Sequence, residues 1–286
     1  MEVNVNWMDP VWRDWLLTWP LLLFFFAIGQ ELRIEVSRHT DRRHLIAPVC
    51  AAAGGMLIPA LFYLGFSLFT SAPKAGWGIP MATDLPFVLL ALAIFPAHIQ
   101  KRVRIFLLAL AVADDIGSIL ILGIVTSSNG GIHPTIIGAT LGLIWGARGY
   151  SVMKRIGYYV ALPAFLVASF STTFNLSWKS ISNPLVWQLV VSRFVGKPVG
   201  ILLGAVIGYA VLRMTHEHVM RLKMRELLIA GFTATFGLDV ALIFANVALT
   251  TPDQKALAIM GILLTIPVSV AGVLFARYFL TSATAA

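Results

Sequence analysis

Charged residues are scarce in this sequence. Only 12% of the 286 residues are charged, against about 25% in a typical soluble domain, whereas 58% are hydrophobic. Apolar runs long enough for a helix to cross a bilayer recur along the chain. A transmembrane barrel would instead show shorter segments of alternating polarity. The composition therefore excludes a soluble domain and predicts an all-α polytopic membrane protein.

Cysteine and the common catalytic motifs are also lacking. The single cysteine, Cys50, lies in an apolar run, which excludes a disulfide framework and a multi-cysteine metal site. We find no nucleophile–base pair, phosphate-binding loop or zinc-ligand spacing, so we expect neither an enzyme nor a bound cofactor. The N-terminus lacks the features of a removable signal peptide, and we expect none.

The sequence contains nine predicted membrane spans joined by short connections. No linker or change of composition separates them, so residues 1–286 are predicted to form a single integral membrane domain. The predicted spans cover residues 15–37, 45–70, 77–97, 104–126, 133–147, 157–176, 185–211, 225–249 and 256–279.

Lysine and arginine are distributed unevenly between the predicted loops. The net charge of +8 would suggest a nucleic-acid partner in a soluble protein, but here the basic residues lie between apolar spans, so no nucleic acid is expected. Fifteen of the 21 lysines and arginines fall on one side of the membrane and four on the other. By the positive-inside rule, the N-terminus lies outside and the C-terminus in the cytoplasm.

Three aspartates interrupt the apolar spans. Asp84 lies in the third span, and Asp114 and Asp115 lie near the middle of the fourth. Each carboxylate at the centre of a bilayer costs about 2.5–3.5 kcal/mol, so these acids need a wet cavity or a partner charge, and an ion is the expected reason. Asp114 and Asp115 diverge by about 100° around their helix, so one can face a cavity while the other meets a neighbouring helix. The alternative is an acid pair at a helix end.

Glycine and proline crowd around the first of these acids. Gly76, Gly78, Pro80 and Pro86 flank Asp84, and proline removes a backbone donor and disrupts the preceding turn. A break inside the membrane requires buried protein or water to satisfy the freed backbone groups. We therefore predict a functional discontinuity in the third span, with a plain proline kink as the alternative.

Two bases and a fourth aspartate lie inside later spans. Lys197 is too deep in the seventh span to reach either surface comfortably, so it should pair with one of the three aspartates. Arg193, one turn earlier, is expected to reach an interface or the wet interior of the helical bundle. Asp239 lies in the eighth span, which contains no proline to break it. Spans two to four and seven to nine are interpreted as an inverted repeat, with six ordinary helices as the alternative.

Small residues recur at four-residue intervals in two spans. The glycines of residues 138–146 and 196–208 follow this spacing, which favours close packing of helices. His133, beside Pro134 at the start of the fifth span, is interpreted as an interfacial or capping residue rather than as a ligand.

Taken together, these motifs resemble the NhaA-type bacterial sodium/proton antiporter family. The strongest matches are GWGIPMATD at 76–84, IFLLALAVADDIG at 105–117 and GKPVGI at 196–201. Weaker matches are FFAIGQEL at 25–32, GGMLIPA at 54–60 and HPTIIG at 133–138. The likeness covers most of the chain, and the first three motifs are specific in combination.

The resemblance implies a secondary transporter of the bacterial inner membrane that exchanges sodium or lithium for protons and serves pH homeostasis. Asp114 and Asp115 match the family's ion-site pair, with Asp115 the favoured direct ligand of a transient sodium ion and Lys197 the partner of Asp114. Thr83 and Asp84 match the crossing of two broken helices in an inverted-repeat core.

A pH response is also implied. Glu31 and Glu35 match an acidic cytoplasmic helix end that is linked to pH in the family, and His133 is a further candidate. The alternative for an acid near a helix end is ordinary solvation.

The sequence departs from the family in three places. Its first helix and a helix pair in the middle are predicted to be missing, and Asp239 occupies the place of a threonine near the helix crossing. The core helices are expected within 45–126 and 185–279, and the panel helices within 15–37 and 133–176. A homodimer or association with other membrane subunits is expected.

The expected mechanism is competition between a small cation and protons for the buried aspartates. The alternative is a non-transporting, antiporter-derived subunit or scaffold of a larger membrane complex, motivated by the missing spans. A transporter of organic anions is disfavoured, because four buried acids face few buried bases.

Overall fold

A computed structural model describes residues 2–3, 9–38, 45–95, 97–127, 134–170, 174–175, 178–214 and 221–282. These residues are almost entirely helical, which confirms the predicted all-α fold class. The exception is a two-residue antiparallel pairing of β1 (Glu2–Val3) with β2 (Phe174–Asn175).

The first half of the chain contains helices of very different lengths. They are α1 (Pro10–Arg38), α2 (Ile46–Phe66), a 3-10 helix (Lys74–Met81), α3 (Leu85–Leu92), α4 (Ala97–Ser127) and α5 (Pro134–Trp145). The second half continues with α6 (Tyr150–Ile156), a π-helical segment (Gly157–Ala161), α7 (Leu162–Phe170), α8 (Trp178–Ile181), α9 (Pro184–Phe194), α10 (Gly196–Met214), α11 (Met224–Thr233), α12 (Asp239–Ala248) and α13 (Pro252–Ser282).

Four stretches of helix are long and apolar enough to cross a membrane. They are Ile46–Phe66, Gln100–Ile124, Pro184–Met214 and Pro252–Tyr278. Shorter apolar helices cover Trp15–Glu31, Pro134–Trp145 and Asp239–Ala248. The predicted total of nine spans stays a prediction.

The third and the eighth predicted spans are interrupted by several non-helical residues. The third span, 77–97, contains the end of the 3-10 helix, three non-helical residues, α3 and a turn at 93–95, so it has the discontinuity that the prolines and glycines predicted. The eighth span, 225–249, is interrupted at residues 234–238, between α11 and α12, although it has no proline. Within this break, Gly237 comes so close to the Ala82 carbonyl oxygen that any side chain would collide with it, so the position requires glycine.

The chain divides into two compact units. The first contains residues 1–40, 119–180 and 250–256. Within it, α1 packs against α5, and a Cβ atom on Gly138 or Gly142 would collide with carbonyl oxygens of α1. The turn before α6 uses Gly146 and Gly149 in the left-handed region, at φ values of 70° and 67°. Gly138 and Gly142 therefore serve helix packing, as predicted, whereas Gly146 does not, because it forms the turn and a Cβ atom there would have no neighbouring atom within 4 Å.

The second unit contains residues 41–118, 181–249 and 257–286. Helices α2 and α10 pack closely here, because the glycines of α10 lie against the backbone of α2, which confirms the second predicted stripe. An apolar core runs through the unit and includes Leu107 of α4, Ile201 of α10, Ala230 of α11 and Val273 of α13. This core fixes the helices that present the buried aspartates.

Candidate functional site

The two interrupted elements meet inside the second unit. The backbone amide of Asp84 donates to the Phe236 carbonyl oxygen at 2.7 Å, and the Thr83 hydroxyl donates to the Ala234 carbonyl oxygen at 3.3 Å. Each break thus satisfies backbone groups that the other leaves without a helical partner. We call these two segments, 82–84 and 234–238, the crossing.

Asp84 lies at the amide ends of two helices. It immediately precedes α3, and its Oδ2 accepts hydrogen bonds from the amides of Leu238 at 2.7 Å and Asp239 at 3.4 Å, at the start of α12. Helix N-termini carry partial positive charge, so a carboxylate is favourable at this position. The side chain is only 5% exposed, and its Oδ1 accepts no hydrogen bond from any N–H or O–H group of the described residues.

Asp239 is the first residue of α12 and lies directly beside Asp84. Its Oδ1 accepts a hydrogen bond from the Val240 amide at 2.7 Å, and its own backbone amide donates to Oδ2 of Asp84 at 3.4 Å. Unlike Asp84, Asp239 is partly exposed. The structure therefore joins two acids that are 155 positions apart in the chain.

Arg193 is 1% exposed and binds the crossing through its guanidinium group. It donates to the carbonyl oxygens of Ile79 at 2.8 Å, Pro80 at 3.5 Å and Gly237, and to the Thr265 hydroxyl at 3.4 Å. The expectation that Arg193 reaches an interface or a wet interior is wrong. The carbonyl groups freed by the two breaks need donors, and an arginine supplies five in a fixed plane.

Lys197 lies one turn further along and is completely buried. Its ammonium group donates to the Met81 carbonyl oxygen and lies 3.5 Å from Oδ2 of Asp114. Among the three aspartates considered from the sequence, Lys197 therefore contacts Asp114, the partner that the family resemblance assigned to it.

Asp114 and Asp115 have different surroundings on α4. Asp114 is 2% exposed, faces Lys197, and its Oδ1 accepts no hydrogen bond within the described residues. Asp115 is partly exposed and lies within electrostatic range of Asp239. This arrangement has the divergence expected of adjacent residues on a helix.

Four acids and two bases thus share one buried region. The site carries two more negative than positive charges when every group is ionised, and a low-dielectric interior penalises such an excess strongly. Protons or a small cation must neutralise this excess negative charge. No group of three histidine, cysteine or acidic side chains within the described ranges is arranged to hold a metal ion, so a cation at Asp114 and Asp115 would also need carbonyl, hydroxyl or water oxygens.

The residues proposed for a pH response belong to the first unit. Glu31 Oε1 accepts from Lys154 at 2.9 Å, and Glu31 Oε2 accepts from the Tyr158 hydroxyl at 3.4 Å. Partial burial by itself lowers the pKa of Lys154, but the hydrogen bonds to Tyr150 and Glu31 outweigh it, and the pKa is raised. Glu31 is therefore paired rather than simply solvated.

The other two candidates for a pH response are Glu35 and His133. The side chain of Glu35 and all of His133 lie outside the described residues. Their suggested roles stay predictions.

Sequence reasoning missed the part that arginine and threonine play at the crossing. Arg193 precedes Lys197 by four positions, which places both bases on the same side of the helical segment. That spacing, together with the predicted break at Pro80, could have suggested Arg193 as a donor. Thr265 lies on α13 in an ordinary apolar context and gave no such indication.

Comparison with known proteins gives one consistent result. The model of the family "Na+/H+ antiporter 1" matches residues 3–129 and 125–276. The chain is 29% identical to "Na(+)/H(+) antiporter NhaA 2" of Frankia alni over 84% of this chain and 61% of that protein. It is 24% identical to "Na(+)/H(+) antiporter NhaA" of Escherichia coli over 92% of this chain and 81% of that protein.

A third relative matches a shorter region more strongly. "Na(+)/H(+) antiporter NhaA" of Thermobifida fusca is 36% identical over 54% of this chain and 38% of that protein. The chain therefore spans about three fifths of the Frankia relative and a smaller share of the Thermobifida one. The two segments matched by the family model meet at residues 125–129, close to where the helix pair was predicted to be missing, and that omission stays a prediction.

Proposed function

The chain belongs to the Na+/H+ antiporter 1 family, and from this premise we propose that it exchanges sodium or lithium ions for protons across a bacterial inner membrane. It is a multi-pass membrane protein, and its family is one of transporters rather than enzymes. The transported ions are the substrates in this proposal, and no resident cofactor takes part.

One observation carries the proposal most directly. Asp114 is fully buried on a membrane-length helix, faces the buried Lys197 at 3.5 Å and keeps one carboxyl oxygen without a hydrogen-bond donor among the described residues. A purely structural ion pair would satisfy both carboxyl oxygens, because an unsatisfied buried polar atom costs about 1–3 kcal/mol. The free oxygen is available to a proton or a cation instead.

The two neighbouring acids of α4 fit different steps of an exchange. Asp115 is partly exposed, so it can meet an ion that enters from water, whereas Asp114 is shielded. Sodium prefers oxygen ligands such as carboxylates and carbonyls. Protons bind the same oxygens, so loading of one substrate displaces the other, and the pair titrates as a unit.

Lys197 has two contacts that allow it to act in this competition. It donates to the Met81 carbonyl and pairs with Asp114 at a distance longer than an optimal charge-assisted hydrogen bond. When a cation binds Asp114, Lys197 can keep its carbonyl contact while it loses the carboxylate. We propose that Lys197 holds Asp114 until the site is loaded.

We further propose the arrangement of the protein in the membrane. The loop charges place the N-terminus outside and the C-terminus in the cytoplasm. Segments 45–126 and 185–279 act as the transporting core, and segments 15–37 and 133–176 as a supporting panel. Assembly as a homodimer or with other membrane subunits is part of the same proposal.

Asp115→Asn tests the central assignment. We expect this variant to lose sodium-dependent proton movement in proteoliposomes, because an amide has no charge to hold sodium and no proton to exchange. The movement is measured as dequenching of a pH-sensitive dye after addition of sodium, lithium or potassium.

Asp253→Asn is the matched control. Asp253 is an exposed acid in the first turn of α13, outside the site, and its replacement should leave exchange at the wild-type level. Exchange by Asp115→Asn at the wild-type rate would contradict the role of Asp115.

The alternative function is that of a non-transporting subunit or scaffold. The predicted omission of a helix pair inside the chain favours it, because the core would have less support. It predicts that the wild-type protein gives no dye response to any of the three cations and co-purifies with a partner in fixed stoichiometry.

A further inference from the structure

Asp84 and Asp239 form an acid pair that the proposed exchange at Asp114 and Asp115 does not use. Asp84 is 5% exposed, and Asp239 is partly exposed at the first position of α12. The Asp84 carboxylate accepts a hydrogen bond from the backbone amide of Asp239 at 3.4 Å, so the two acids are direct neighbours. Two carboxylates offer each other only acceptors, so such a buried pair is stabilised when one of them carries a proton.

The amides around the pair provide for one negative charge. Asp84 Oδ2 accepts from the amides of Leu238 and Asp239, and Asp239 Oδ1 accepts from the Val240 amide. These donors and the helix N-terminus stabilise a single carboxylate. A second negative charge at contact distance in a buried site is strongly disfavoured. Two aspartates that share one proton satisfy both conditions.

The surrounding charged groups do not remove the need for that proton. Arg193 of α9 is bound to carbonyl oxygens and Thr265, and Lys197 of α10 is bound to Met81 and Asp114. Within the described residues, neither base forms an ion pair with Asp84 or Asp239. The acids Asp114 and Asp115 on α4 add further negative charge to the same region.

We propose that Asp84 and Asp239 form a second proton-carrying site, so that each cycle moves one proton more per sodium ion than the Asp114–Asp115 pair moves alone. This inference rests on the proposed sodium/proton exchange. Asp239 gives the buried pair access to water, because it is the partly exposed member.

Asp115 provides the coupling between the two sites. It lies within electrostatic range of Asp239, so a sodium ion bound at Asp115 makes the potential at Asp239 more positive. The shared proton then leaves to the water on the open side, and the pair becomes two carboxylates. When sodium dissociates on the other side of the membrane, the pair takes up a proton there.

Asp239→Asn tests the inference with little risk to folding. The asparagine side-chain oxygen can still accept the hydrogen bond from Val240, so the start of α12 is preserved. In proteoliposomes with fixed sodium and proton gradients, we measure the membrane potential at which net flux stops. We expect the number of protons exchanged per sodium ion to fall by one, and Asp253→Asn to keep the wild-type value.

An infrared measurement on the purified full chain tests the shared proton without transport. At neutral pH the wild-type spectrum should contain a protonated-carboxyl band that decreases when sodium is added. The band should be weaker in Asp239→Asn, where only protons on Asp114 and Asp115 can contribute to it, and unchanged in Asp253→Asn.

The two measurements separate this inference from the proposed function. A wild-type protein that shows the band but no sodium-driven proton movement contradicts the exchange proposal, while the shared proton stands. A wild-type protein that exchanges ions, with an Asp239→Asn variant of unchanged stoichiometry and unchanged band, overturns the second proton site.

Discussion

The site contains two acid pairs that are built in different ways. Asp114 and Asp115 are neighbours on one helix, and Asp114 faces the ammonium group of Lys197 at 3.5 Å. Asp84 and Asp239 come from two interrupted elements and are held by backbone amides. The first pair depends on a side chain that can move, whereas the second is fixed by the backbone itself.

The two buried bases differ in the same way. Arg193 donates to two carbonyl oxygens of the 3-10 helix, to the Gly237 carbonyl at the crossing and to a hydroxyl on α13, and it contacts no carboxylate among the described residues. Lys197 divides its ammonium group between one carbonyl and one carboxylate. Both bases lie at carbonyl groups, and Asp84 and Asp239 lie at amide groups, as the partial charges of broken helices favour. We infer that arginine holds the crossing together while lysine takes part in the exchange.

Arg193→Met should have the largest effect on stability. The change removes the guanidinium group and leaves several buried carbonyl oxygens without a donor, each of which costs about 1–3 kcal/mol. We expect the protein to lose at least about 3 kcal/mol of stability, which should lower its melting temperature in detergent by several degrees.

Lys197→Met is the matched substitution for that test. It removes an equally buried base, but Asp114 can take up a proton and so avoid an unpaired charge. We therefore expect a smaller fall in melting temperature than for Arg193→Met, together with a loss of exchange. If Lys197→Met proves the more destabilising of the two, the division of roles between arginine and lysine is wrong.

The sequence located the four acids, and the family resemblance placed Asp239 near the helix crossing, but the contact between Asp84 and Asp239 was not predicted. The break near Asp84 was predictable, because two prolines flank that residue. The break before Asp239 was not, because it depends on a close approach of Gly237 to Ala82, about 155 positions away. Such an approach leaves no trace in the local pattern of either segment.

Arg193 is a second residue whose partners could not be predicted from the local sequence. Its place one turn before Lys197 predicted that it would reach an interface or the wet interior of the helical bundle. Its actual partners are carbonyl groups freed by the break at residues 79–80, 113 and 114 positions away. The need for a donor arises only when the two breaks meet, so it could not be seen in the seventh span by itself.

Gly237→Ala tests whether the crossing, but not the acid pair on α4, depends on close contact between the two breaks. Its effect on stability should be smaller than that of the two preceding substitutions. The added methyl group would meet the Ala82 carbonyl and approach Nη2 of Arg193 to 3.2 Å. We expect a loss of about 1–3 kcal/mol from overpacking, measured as a lower melting temperature. The pair on α4 does not depend on this spacing, so Asp114 and Asp115 should still bind sodium.

Gly65→Ala provides the control for that substitution. A methyl group at Gly65, in α2 of the same unit, would find nothing within 4 Å. Because alanine favours helix over glycine by up to about 1 kcal/mol, we expect no loss of stability. A Gly237→Ala protein as stable as Gly65→Ala would show that the crossing tolerates displacement.

Removal of the ion pair between Glu31 and Lys154 in the first unit should have the smallest effect on stability. It gives the value for a half-exposed ion pair, with which the buried pairs can be compared. The lysine side chain is 46% exposed and the glutamate 30%, so Glu31→Gln should cost at most about 1 kcal/mol.

The stability that this ion pair contributes should depend on pH. The raised pKa of Lys154 means that the contribution is fully present below the ordinary lysine value of 10.5 and is lost as pH rises through the raised value. The difference in melting temperature between wild type and Glu31→Gln should therefore be constant from neutral pH to about pH 9.5 and decrease above about pH 10.5. A difference that grows with pH, or one as large as that of Arg193→Met, would mean that this half-exposed pair stabilises the protein as strongly as the buried crossing does.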